Sequence, residues 1–92
     1  MAKFIAVHPL KTPATGEEII PLAKKAKAGN SLDAYWVSSW LQLNDQGKIT
    51  KIFCEWDAKD ARSVSKALAQ SIPELPVEGV YRMAEIHGES YR

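Results

Sequence analysis

Two histidines, one cysteine and a scatter of carboxylates are the side chains here with chemistry to offer. His8 closes a short β-rich run beginning at Lys3 and is followed at once by Pro9. A strand-end histidine, with a pKa near neutrality, suits a general base or a ligand contact. Hydrogen bonding to backbone is the plainer alternative, and both stay open. Cys54, in a second apolar run, packs as a small hydrophobe or serves as a soft metal ligand. Glu55, Glu85 and His87 gather at the end of the sheet away from His8, and with Cys54 they suit zinc or nickel by type. The spacing resists a metal site within one subunit. His8 and Cys54 are expected about four residues out of step on neighbouring strands, over about 10 Å apart. No CxxC, HxH or HExxH occurs, and no GxGxxG, P-loop or GxSxG, which removes nucleotide and nucleophile-elbow chemistry.

The elements that must position these residues follow from pattern. Lys3 to His8 reads as a strand ended by Pro9. Thr15 and Glu18 have capping-box spacing, and Ile19, Leu22, Ala23 and Ala26 form an apolar helical stripe that Gly29-Asn30 stops. Pro21 fits only if that helix starts late enough to place it in the first turn. Ala34 to Leu43 and Lys48 to Asp57 are strands joined through Asn44-Asp45-Gln46-Gly47. Asp57 or Asp60 caps a second helix over 58–71 with the stripe Ala61, Val64, Ala67 and Leu68. Val77 to His87 supplies the last strand. The order β-α-β-β-α-β predicts an α+β, ferredoxin-like sandwich: a four-stranded antiparallel sheet with both helices on one face. Residues 1–92 then form a single domain with a polar tail over 88–92.

Helices on one face leave the other face of the sheet to water or a partner. Alternation, for a hairpin loop of two or four residues, puts Tyr35, Val37, Ser39, Leu41, Ile52, Cys54 and Trp56 on the helix side with Ile5, Val7 and Val80. The opposite face then carries Phe4, Ala6, His8, Trp36, Trp40, Lys51, Phe53, Tyr81 and Met83. A bulge would break this register. So apolar a patch marks an interface or a ligand groove. The expectation is a homodimer whose sheet faces enclose an aromatic pocket, with His8, Trp36, Trp40, Lys51, Phe53 and Tyr81 as ligand-binding residues for a small aromatic molecule.

Composition bounds the rest. A chain of 92 residues, 46% apolar, is marginal as a lone core and gains from a partner. Its net charge of +1 argues against nucleic acid, and the third strand lacks the glycine-aromatic signature of RNA-recognition motifs. No apolar stretch approaches a signal sequence or membrane span. A single unpaired cysteine suits the cytoplasm.

Trp36-Val37-Ser38-Ser39-Trp40, then Phe53-Cys54-Glu55-Trp56-Asp57-Ala58, then Pro76-Val77-Glu78-Gly79-Val80 after a helix, resemble a family of short bacterial domains of unknown function that includes nickel-binding-like proteins. The resemblance implies a ferredoxin-like fold dimerising into an α/β barrel, and a divalent metal, nickel, with Cys54 the position that carries over. Ala67 and Val7 depart from it, standing where relatives carry a histidine and an acidic residue. The favoured expectation is an uncharacterised small binding domain, non-enzymatic or without an assigned reaction. The alternative is a cofactor-free monooxygenase or isomerase of the dimeric-barrel type, with His8 as its catalytic, proton-transferring group.

Overall fold

The computed structural model describes residues 1–91. Its elements are β1 (Ala2–Ala14), α1 (Gly16–Ala28), β2 (Ala34–Leu43), β3 (Ile49–Ala58), α2 (Ala61–Ser71), β4 (Gly79–Met83) and a closing 3-10 turn, Gly88–Tyr91. Local chemistry explains their bounds. Thr15 accepts the Glu18 amide through Oγ1 at 3.3 Å, while Glu18 Oε1 accepts the Thr15 amide at 3.0 Å, a reciprocal cap that starts α1. The Gly29 amide closes the helix on the Lys25 and Ala26 carbonyls at 3.1 Å. Asp60, of the two candidate caps, begins α2 by accepting the Ser63 amide at 2.8 Å. In the β2–β3 turn, Asn44 Oδ1 accepts the Gln46 and Lys48 amides, and Gly47 takes the left-handed φ of 76° that glycine tolerates best.

Pro21 departs from expectation. The helix does not start late; Pro21 lies beyond the first turn, so the backbone bond its amide would give to Glu17 is missing. Both residues are exposed, and water can take that carbonyl. β1 also continues past Pro9 to Ala14, across an irregularity in its pairing with β3, and the last strand is shorter than expected.

The sheet order is β2-β3-β1-β4, with every neighbouring pair antiparallel, and both helices cover one face. The element order and sheet are those of the ferredoxin-like sandwich. Phe4, Ala6, Ala34, Trp56 and Ala58 from the sheet meet Val64, Ala67 and Leu68 of α2 in the core. The stripe of α1 buries only Ala26 fully, and the closest backbone neighbours of α1 are on α2 rather than the strands.

Two face assignments are corrected by the pairing. Phe4, Ala6 and His8 lie under the helices, and Ile5 and Val7 face away; both alternate sets of β1 are apolar, so alternation could not choose between them. Trp36 also turns inward. Trp36 pairs with Trp56 but Ser38 pairs with Glu55, so Val37 is an extra, bulged residue that inverts every side chain before it. From Ser39 to Gln42 the expected faces hold.

The molecule is flat, with extents of 38 × 34 × 20 Å. Its accessible surface is 6377 Å², against about 5,300 Å² for a typical monomer of 10.2 kDa. The radius of gyration, 13.7 Å, likewise exceeds the roughly 12.3 Å usual for this length. Among the described residues no helix is long and apolar enough to cross a membrane.

Candidate functional site

The sheet carries two separate concentrations of functional side chains, one on each face. Beneath the helices, His8 is 0% exposed. Its Nδ1 lies 2.8 Å from the Pro76 carbonyl, which can only accept, so Nδ1 holds the proton and donates. Nε2 is then a bare lone pair, fully buried and without a partner. Burial pushes the His8 pKa below its ordinary 6.5, against the opposing pull of the Pro76 bond, which keeps the ring neutral at pH 7. His8 lines a cavity of about 240 Å³ between α1 and the sheet, whose walls include Leu22, Ala26, Ile52 and Leu68. Trp56 lines the same cavity, also at 0% exposure, and its Nε1–H is the second buried polar atom left unpaired.

Cys54 belongs to this face too. Its Sγ accepts from Ser39 Oγ at 3.1 Å, and Ser39 Oγ in turn accepts from Trp36 Nε1 at 2.9 Å. The expected separation of His8 and Cys54 is corrected here. His8 pairs with Ile52 and Ala6 with Cys54, so the two are diagonal neighbours on one face, about 7–8 Å apart at the backbone. A divalent metal still does not fit. Burial raises the Cys54 thiol pKa, which disfavours the thiolate a metal needs, and the cavity lining holds no carboxylate. Among the described residues no cluster of three or more His, Cys, Asp or Glu side chains is placed to hold an ion. Glu85 and His87 pair with each other at 2.7 Å, both exposed, well away from Cys54.

The open face carries Ile5, Val7, Trp40, Phe53, Tyr81 and Met83. Val7, Phe53 and Trp40 form one cross-strand row, with Ile5 opposite Tyr81 in the next. Trp40 is 59% exposed, Tyr81 48% and Met83 46%. Tyr81 lies back over Gly79: a Cβ there would overlap the phenol ring, so the missing side chain is what leaves the ring room. Polar pairs bound the patch at both ends. Lys3 bridges Glu55 and Asp57, which hold its pKa above the ordinary lysine value, Asp57 contributing most. Lys51 faces Glu78 at 3.7 Å. A hollow of about 170 Å³ lies between Ile5, Trp40 and Met83, with Lys3, Glu55 and Glu85 at its rim.

The six expected ligand-binding residues therefore divide. Trp40, Lys51, Phe53 and Tyr81 share the open face, whereas His8 and Trp36 line the cavity on the other side of the sheet. Trp56 and Ser39 escaped the sequence reading. A signal existed for Trp56: alternation already buried it, and a buried indole N–H needs an acceptor.

The fold is similar to that in the crystal structure of SCO4226 from Streptomyces coelicolor A3(2), with a TM-score of 0.75 over 94% of this chain and 100% of that chain at 13% identity. The likeness is one of fold. No family model matches the chain, and no curated protein matches it in sequence.

Proposed function

We propose that this chain is a small ligand-binding domain that works as a homodimer, two copies meeting through the open sheet face and enclosing an aromatic-lined pocket. The observation that carries this is surplus surface. The chain exposes about 1,000 Å² more than a monomer of its mass should, and a standard interface removes about 800 Å² from each partner. Part of that exposed surface lies on the open face, where Trp40, Tyr81 and Met83 are about half exposed, and part on the extended segment after β4, where Ile86 and Tyr91 are largely exposed. Rings with room to interdigitate, flanked by charge pairs, match the apolar centre and polar rim of such interfaces.

Pairing would close the hollow beside Trp40 over a small aromatic ligand, with Phe53 and Tyr81 supplying further ring surface and Lys51 a charge at the far rim. The enzymatic alternative finds less support, because His8 and Trp40 lie on opposite faces and cannot act on one substrate within a subunit. Nickel, suggested by the resemblance over residues 36–58, would need donors from a second copy, and Cys54 is turned away from that copy. The unpaired thiol fits a cytoplasmic setting.

Sedimentation velocity of wild type and Trp40→Glu tests the pairing. Wild type is expected to sediment as a dimer at micromolar concentration, and the variant as a monomer with unchanged far-UV circular dichroism. A wild-type monomer under those conditions would overturn it.

A further inference from the structure

We propose that the cavity beneath α1 is a second binding site, for a compact, uncharged, hydroxyl-bearing apolar molecule of the size of a simple phenol, whose hydroxyl donates to Nε2 of His8. It is independent of the dimer interface, since its lining faces the helices.

Volume comes first. At about 240 Å³ the cavity exceeds the roughly 150 Å³ engineered cavity that admits benzene, so one substituted ring fits. Charge comes next. None of the lining residues is Lys, Arg, Asp or Glu, so an ionised ligand would lose its water without a counter-ion. The polar handles fix the rest. Nε2 of His8 can only accept, because the proton sits on Nδ1 facing Pro76; it therefore asks for a donor. Nε1–H of Trp56 asks for an acceptor. Ser39 donates to Cys54 and accepts from Trp36 Nε1, so its hydroxyl makes no further demand.

A lone water answers this poorly. His8 stands opposite Ile52, and Trp56 lies four residues further along β3, about 13 Å away at the backbone. A water at His8 would find no second partner in Trp56 at that distance, and the nearer polar side chains, Trp36, Ser39 and Cys54, are bonded to one another. A phenol needs only the one hydrogen bond and sets its ring against the apolar walls. The cavity is partly open to solvent, so a ligand can enter it directly, and α1 is the wall held least firmly. Its sheet-facing stripe is only partly buried, Pro21 removes one of its backbone bonds, and its side-chain ties, Lys25 to Glu74 at 2.7 Å and Lys27 to the Tyr35 hydroxyl at 3.0 Å, are at the surface.

The test titrates phenol into ¹⁵N-labelled wild-type protein, following the His8 ring nitrogens and the Trp56 indole. Saturable shifts at both are expected below about 1 mM phenol, with toluene at least about tenfold weaker for want of the hydroxyl, and benzoate without effect. Ala23→Phe, which fills the cavity from α1, is expected to abolish the shifts. Signals unmoved by about 10 mM phenol, or equal affinity for toluene, would overturn the proposal. So would shifts that persist unchanged in Ala23→Phe, which would put phenol outside this cavity.

Discussion

Acid should destabilise this protein through one residue, His8. In the folded chain its ring is buried and neutral; in the unfolded chain it titrates near its ordinary 6.5. Burial lowers the folded pKa, so between that lowered value and 6.5 the unfolded chain binds a proton that the folded chain refuses. Stability is therefore complete above pH 6.5 and falls as pH drops, at about 1.4 kcal/mol per pH unit until the folded pKa is reached. In a domain of this size each kcal/mol is worth roughly 4–8 °C in Tm. The carboxylates do not confuse the window. Glu18, Asp60 and Glu74 have pKa values lowered by the Thr15 cap, the Ser63 cap and Lys25, so what they contribute is lost only below the ordinary 4.5 or 3.8. Urea unfolding at a fixed protein concentration, at steps from about pH 7.5 to 5, measures the slope. His8→Gln, which keeps a donor for Pro76 and removes the titration, should flatten it. A wild type equally stable across that range, or a slope that persists in His8→Gln, would refute the buried neutral imidazole.

Other perturbations read separate parts of the structure. Leu68→Ala, in the core beneath α2, should cost about 2–5 kcal/mol by chemical denaturation, with little change in circular dichroism at low denaturant. Pro21→Ala should restore the missing helical bond and raise stability by about 1–2 kcal/mol, the helix gain exceeding the unfolded-state entropy that proline had removed. Cys54 should react with a thiol reagent at pH 7.5 about a hundredfold more slowly than in urea, because burial raises its pKa; equal rates would mean that the thiolate is accessible.

Much of this fold was legible because several local signals agreed. Capping residues at Thr15 and Asp60, the Asn44–Gly47 turn and the apolar stripe of α2 each sit where the structure uses them. The site was less legible. Both faces of β1 are apolar, so its alternation carried no direction, and His8 changed sides with it. The bulge at Val37 has no glycine or proline to announce it, yet it turned Trp36 inward. Pairing register, which depends on long-range contacts, also brought His8 and Cys54 to one cavity, where counting along the strands had kept them apart. The open-face group Trp40, Lys51, Phe53 and Tyr81 was legible because it follows the bulge and lies in regular alternation.

The central claim is that a second copy covers the open sheet face. Isotope-filtered NOE spectroscopy on an equal mixture of labelled and unlabelled chains tests it most directly. Intermolecular NOEs are expected among Trp40, Phe53, Tyr81 and Met83, with none from Trp56 or Leu68. An absence of filtered NOEs at concentrations where wild type sediments as a dimer, or NOEs arising instead from the outer surface of α2, would contradict the account.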